Sequence, residues 1–134
     1  MRTLSSESFD IRSSEDIVAV RQAVRKQAVA IGFGLIDQTK FVTAASELAR
    51  NTLDHGGGGK ARVEIVENGI KPGIRLTFDD SGPGIADLGL AMRDGYTSGN
   101  GMGLGLSGAK RLSHEFEIKS EVGVGTTVSI LRWK

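Results

Sequence analysis

The distribution of glycine constrains this chain more than any other feature of its sequence. Nineteen glycines occur in 134 residues, and they are clustered rather than spread. Four are consecutive at Gly56 to Gly59. Five more fall at Gly99, Gly101, Gly103, Gly105 and Gly108. Glycine is needed where backbone takes positive φ or where another group approaches the backbone closely. Each cluster therefore marks either a loop with a task or a flexible loop with none, and the ordered elements must lie between them.

The segments between the clusters are periodic. Ser5–Arg12 reads as a strand with Phe9 and Ile11 on one face. Ser13 or Ser14 caps a helix with Glu15 and Asp16 in its first turn, where carboxylates suit the helix dipole. Ile17, Val20, Val24, Ala28 and Ile31 then recur at helical spacing. A second helix runs from Ile36 to His55, with Phe41, Ala45, Leu48 and Thr52 as its core stripe and Gly56 as its stop. Ala61–Glu67 and Ile74–Phe78 alternate around turn signals at Asn68-Gly69 and Pro72-Gly73, which predicts a hairpin. A short helix is expected over Ala86–Arg93, a loop over Asp94–Met102 and a helix over Leu104–Leu112. Phe116–Glu121 and Thr126–Trp133 close the chain as a second hairpin. This order predicts a single α+β domain over residues 1–134, a two-layer sandwich of a mostly antiparallel mixed sheet with helices on one face.

Composition removes several functional classes. Seventeen basic residues against sixteen acidic give a net charge of +1, with no general attraction to nucleic acid or anionic membrane. No cysteine is present, which excludes disulfides, thiolate metal sites and cysteine nucleophiles. His55 and His114 are too few and too separated for a metal cluster. The polar start, with Glu7 and Asp10, is unlike a secretory signal, and no apolar run approaches the roughly 20 residues of a membrane span. A cytoplasmic protein is expected.

Four constellations carry candidate chemistry. Glu47 and Asn51 are four apart and share a helix face, extended by Thr43 and His55. Asparagine offers a neutral oxygen suited to a magnesium ion that keeps phosphate and water ligands, and glutamate offers a base one turn away. Alone, the pair also fits a solvated helix face. Asp80-Ser-Gly-Pro-Gly84 follows a strand, so its carboxylate can accept from an exocyclic amine such as adenine's, with Gly82 and Gly84 admitting a flat base. A simple Pro-Gly turn fits equally well. Gly99 to Gly105 opens a helix whose free N–H groups suit phosphate. It is neither a dinucleotide fingerprint, lacking the preceding strand, nor a P-loop, lacking Gly-Lys-Ser/Thr. Gly125-Thr126 enters the last strand with a hydroxyl that could reach a base. Arg21, Arg25 and Lys26 on the first helix read as solvated charges rather than a docking face.

In this order and spacing the four resemble the boxes of the GHKL superfamily of gyrase-type ATPases, chaperones, histidine kinases and MutL-like proteins. Glu47–Asn51 is similar to its N box, Asp80–Gly84 to its first glycine box, Gly101–Gly105 to the second, and Gly125-Thr126 to the last. Asp16-Ile-Val-Ala, Gly32-Phe-Gly34, Ser46–Asn51, Lys110-Arg-Leu112 and the run from Asp94-Gly95 to Glu115-Phe116 resemble, more closely, the RsbT-type switch serine kinases. That resemblance covers almost the whole chain. It implies the Bergerat fold, ATP and Mg2+ as cofactors, and phosphorylation of a serine on a STAS-domain antagonist, held with its scaffold. It also implies that the freed kinase binds a PP2C-type phosphatase. By the same resemblance Glu47 is the base and Asn51 the magnesium ligand, while Asp80 binds adenine. Gly82, Gly84, Gly101, Gly103, Leu104 and Gly105 cradle the nucleotide, and Thr126 sits near the base. An anti-sigma factor of the SpoIIAB or RsbW kind, sequestering a sigma factor, is the first alternative. A non-catalytic ATP-dependent module is the second, which Glu47 argues against. A histidine kinase lacks room for its phosphoacceptor helix before residue 16, and a gyrase-like ATPase would continue past Lys134.

Overall fold

The computed structural model describes residues 1–93 and 105–134. Nine elements follow in chain order: β1 (Arg2–Ile11), α1 (Ser14–Ala30), α2 (Leu35–Asp54), β2 (Gly59–Glu67), β3 (Pro72–Asp80), α3 (Leu88–Ala91), α4 (Leu106–Arg111), β4 (Glu115–Glu121) and β5 (Gly125–Trp133). The entry to α1 is fixed by Asp16, whose carboxylate accepts the N–H of Arg12 at 2.8 Å and of Ser13 at 3.1 Å. The Ser13 N–H belongs to the N-cap and the Arg12 N–H to the residue before it, so one carboxylate holds the chain's entry into the helix.

The strands form one sheet in the order β1-β2-β3-β5-β4. All four neighbour pairs are antiparallel. The α+β class and the two-layer plan agree with the sequence; the expected mixed character does not, since no parallel pair occurs among the described residues. The last strand enters between β3 and β4, so each connection can be made by antiparallel neighbours.

Register explains why the helices occupy one face. Ala61, Val63 and Ile65 of β2 stand opposite Phe78, Leu76 and Ile74 of β3, and Phe78 and Leu76 in turn oppose Val128 and Ile130 of β5. All are buried, in one core with Ile17, Val20, Val24 and Ala28 of α1 and Phe41, Ala45 and Leu48 of α2. Removing a Phe, Leu or Ile side chain from water contributes about 1.5–3 kcal/mol, and this face collects most of them. Phe33, just before α2, meets Phe41 edge-on at 6.4 Å between ring centroids. Four elements differ notably in extent from the sequence pattern. The segment expected to be helical over Ala86–Arg93 is only four helical residues, because Asp87 accepts the N–H of Leu90 at 2.9 Å and starts the turn late. The strands β1, β2 and β3 each begin earlier than their apolar alternation, carried by ladder hydrogen bonds rather than by burial.

The opposite face of the sheet is polar, and its central feature is an ionic cluster. Glu64 of β2 lies directly across from Arg75 of β3. Arg75 donates to both Glu64 oxygens, Nε at 3.1 Å and Nη2 at 3.2 Å, and Arg62 adds a contact at 3.3 Å. The hydrogen bonds from Arg75 hold the Glu64 carboxyl below the usual carboxylate range, against the opposing effect of its burial. A depressed carboxyl stabilises the fold above its unfolded value and loses that contribution as pH falls through the folded value. Glu64→Gln is therefore expected to lower unfolding free energy by about 1–3 kcal/mol at pH 7. The gap between mutant and parent should shrink as denaturation is repeated toward pH 3. A gap that stays constant across that range would remove the ion pair from the account of stability.

Candidate functional site

Helix α2 delivers three polar side chains to one end of the sheet. Glu47, Asn51 and His55 recur at four-residue spacing on one face. Asn51 and His55 line a narrow cleft with Leu48 and Thr52 of the same helix, Phe78 and Asp80 of β3, Ile85, and Thr126 and Val128 of β5. Its apolar floor and its few convergent polar groups are the usual make-up of a small-molecule site. Thr52 does not point a free hydroxyl into it, because its Oγ1 donates to the Leu48 carbonyl at 3.0 Å. Glu47 lies one turn earlier, exposed, against the start of α4. A Cβ built on Gly105 would come within 2.5 Å of Glu47 Oε2. Gly105 also has φ of +65°, a conformation that disfavours side chains on its own account.

Asp80 is held at the centre by backbone. Its Oδ1 accepts the N–H of Gly82 at 2.9 Å. Gly56, just beyond α2, passes so close that any Cβ there would collide with the Asp80 carboxylate, and a Cβ on Gly82 would fall 2.7 Å from the Cα of Gly56. Gly125 packs in the same way on the Asp80 carbonyl. The loop after Asp80 is anchored on both sides. His55 Nε2 lies 3.3 Å from the Gly84 carbonyl and donates to it when that nitrogen carries the proton. Ser120 Oγ accepts the N–H of Ile85 at 2.8 Å and lies 2.8 Å from Thr126 Oγ1.

The sequence-derived residues fall as follows. Asn51, Asp80 and Thr126 converge on the cleft, and Glu47 stands at its α2 end. Gly82 and Gly84 lie in the loop beside it, where they meet protein backbone. Gly82 faces Gly56, and Gly84, at φ +75°, faces Glu121 and Val122. Gly101, Gly103 and Leu104, with the whole Asp94–Met102 loop, lie outside the described residues. Sequence reasoning missed three participants: Gly56, Ser120 and Ile85. For the first a signal existed. Counting the hairpin register back from the turn at residues 68–71 puts Gly59 opposite Asp80, and with it the glycine run.

A larger hollow, with a cavity volume of about 390 Å³, lies at the strand ends and shares Asp80 and Thr126 with the cleft, its other walls including Asp79, Lys119, Glu121 and Thr127. It does not reach Asn51, so the narrow cleft, which brings Asn51 together with Asp80 and Thr126, is the candidate site. That cleft has a cavity volume of about 10 Å³, room for about one water molecule. The Gly84–Ile85 segment that walls it is held by hydrogen bonds from His55 and to Ser120, and the adjacent Pro83 carbonyl accepts the Gly123 N–H at 2.9 Å.

The geometry is that of a nucleotide-binding ATPase fold, and the comparisons agree. Residues 36–134 match the family described as histidine kinase-, DNA gyrase B-, and HSP90-like ATPase. The chain belongs to that family and uses ATP as its nucleotide. It is 42% identical over 123 residues to the serine/threonine-protein kinase RsbT of Bacillus subtilis (strain 168), covering 92% of each chain. It stands with the serine/threonine kinases of the family. Two solved structures share the fold. One is the SiaB-SiaC complex from Pseudomonas aeruginosa, at 18% identity and a TM-score of 0.56 over 99% of this chain and 91% of that one. The other is the catalytic domain of histidine kinase ThkA in a nucleotide-free form, at 16% identity and 0.53 over 98% and 97%. No helix among the described residues is long and apolar enough to cross a membrane.

The contact between Gly56 and Asp80 gives a test. Gly56→Ala should displace the Asp80 carboxylate and weaken ADP binding about tenfold or more, which is about 1.4 kcal/mol. Gly57→Ala has nothing within 4 Å to strike. Its φ of +75° should cost stability but leave affinity in the folded protein close to the parent's. Calorimetric titration of both with ADP decides it; equal affinities would show that Asp80 does not depend on Gly56.

Proposed function

We propose that this chain is a magnesium-dependent protein serine kinase of a partner-switching system, acting on a serine of a STAS-domain antagonist protein and then binding a PP2C-type phosphatase. The observation that carries the reading is that Asn51 and Asp80 line one cleft while Glu47 stands one turn of α2 before Asn51, beside Gly105 at the start of α4. The 42% identity to a serine/threonine kinase over nearly the whole chain supports it.

Each residue has a distinct task in this reading. Asp80 spends one oxygen on the Gly82 N–H, which leaves Oδ2 for the exocyclic amine of adenine. Leu48, Phe78, Ile85 and Val128 exclude water from the faces of the base. Thr126 and Ser120 form a hydroxyl pair at the rim that donates to a ring nitrogen or a bridging water. Asn51 supplies one neutral oxygen. No group of three or more carboxylate, histidine or cysteine ligands occurs among the described residues. One protein oxygen is the donor set that suits Mg2+, which keeps waters and nucleotide phosphates as its remaining ligands. When bound, MgATP supplies the γ-phosphoryl group and the charge that offsets its negative oxygens. Glu47 is the proton acceptor. A serine hydroxyl is a weak nucleophile at neutral pH, and a carboxylate beside it would take its proton as the serine O–P bond forms and the bond from the γ-phosphorus to the bridging oxygen breaks, releasing ADP.

Two substitutions separate binding from chemistry. Glu47→Gln keeps shape and helix propensity and removes basicity. It should leave ADP affinity near that of the parent and reduce single-turnover phosphotransfer to a STAS-domain protein about 10²–10⁴-fold. Asp80→Asn should weaken ADP binding about tenfold or more, because an amide cannot offer the amine a charged acceptor. Transfer by Glu47→Gln at the parent rate would return Glu47 to a solvated helix position.

A further inference from the structure

Helix α2 carries a second exposed feature on the face that bears Glu47. At about 100° per residue, Ile36, Lys40, Thr43 and Glu47 fall within an arc of about 60°. All four are exposed, while Phe41, Ala44, Ala45 and Leu48 on the other side are buried. Eleven residues separate Ile36 from Glu47, which is about 16 Å along the helix axis.

The far end of this strip is apolar and solvent-facing. Leu35 and Ile36 are both 71% exposed, and Val29 in the last turn of α1 is 58% exposed. Nothing in the fold requires two large aliphatics in the first turn of α2, where a polar residue would serve as well. The surroundings are positive. Arg25 reaches the corner, its Nη1 3.4 Å from Gln38 Oε1. The Lys134 ammonium lies beside Gly32, and Lys40 stands one turn beyond Ile36 on the strip. The corner's carboxylate, Asp37, is already taken by Arg132 at 2.8 Å.

We infer that Leu35, Ile36 and Lys40 form the docking surface for the protein that presents its serine to Glu47. The inference rests on the kinase reading above and adds to it where the acceptor protein lies. A folded domain of about 100 residues has a radius of gyration of about 13 Å. One that seats a hydroxyl at Glu47 and lies along α2 is large enough to cover the exposed strip of about 16 Å that leads to Ile36 on the same helix face. Its chemistry follows from the surface. It carries an apolar side chain for Leu35 and Ile36, flanked by carboxylates for Lys40 and Arg25, about 16 Å from the acceptor serine. The apolar pair supplies affinity, and the cations supply rate of encounter and orientation.

The test is steady-state phosphotransfer to a STAS-domain protein by the full chain, with KM and kcat separated and ADP affinity measured beside them. The double variant Leu35→Ser with Ile36→Ser should raise KM for the protein acceptor about tenfold or more, while kcat and ADP affinity stay near the parent's. Lys40→Glu should raise KM most at low salt and flatten its dependence on ionic strength. Transfer by the parent with KM unchanged in both variants would overturn the docking assignment and leave the kinase reading intact. Unchanged KM together with a loss of self-association in the double variant, read by analytical ultracentrifugation, would instead give the corner to a second copy of this chain. No transfer by the parent to any STAS-domain protein would overturn the kinase reading, and the docking assignment with it.

Discussion

The close approach of backbone to Asp80 from several directions is the constraint on which the site depends. The aspartate ends β3, and its neighbours come from three other parts of the chain: Gly56 after α2, Gly82 in its own loop and Gly125 at the start of β5. A Cβ on Gly56 would strike the Asp80 carboxylate, one on Gly125 its carbonyl, and one on Gly82 the backbone of Gly56. Because Gly56 follows α2 directly, the same contact fixes how far that helix extends over the sheet. Asn51 and Glu47 are therefore placed relative to Asp80 by a rigid helix whose end is pinned, rather than by a loop. Two carboxylates on separate elements, Asp80 on β3 and Glu47 on α2, keep their spacing in this way.

The helical stripes were legible because they are local. Ile17, Val20, Val24 and Ala28 recur at helical spacing, and each is 2% exposed or less. The β2–β3 hairpin was legible from its turn residues, and with it the opposition of Gly59 and Asp80. The position of β5 was not. Its pairing with β3 sets Thr126 opposite Asp80, a contact between residues 46 apart that no local pattern encodes. The glycines show the same limit. Sequence says that Gly82 and Gly84 need backbone freedom or close approach, but not what approaches. Gly82 meets Gly56 and Gly84 meets the β4–β5 turn, both distant in sequence. Ser120 gave no signal, since its role comes only from accepting the Ile85 N–H 35 residues away.

At the opposite end of the molecule, Arg132 ties the layers together. Its guanidinium donates to Asp37 in the first turn of α2 and to the Leu112 carbonyl at the end of α4, at 2.8 and 2.9 Å. Its side chain is mostly buried, and Nε has no partner there. His114 stands close by. Burial, and then the Arg132 charge, hold its pKa below the ordinary histidine value, while its Nδ1 accepts the Trp133 N–H. The ring is thus a neutral spacer beside a permanent cation, and the charge at this corner is set by arginine and lysine rather than by pH near neutrality.

Among the described residues the sheet is open at both edges, and the edges are unlike. β4 turns Phe116 and Ile118 toward the helices and shows Glu115, Glu117, Lys119 and Glu121 on its other side. β1 is ten residues long and lacks such a run of charges, but its pairing with β2 slips between Thr3 and Ser5, leaving Leu4 out of register. A strand added from outside would meet alternating charge at one edge and a kinked ladder at the other. Both edges thus oppose runaway strand addition. Among the described residues, register and charge are thus what guards each edge of this glycine-rich sheet protein.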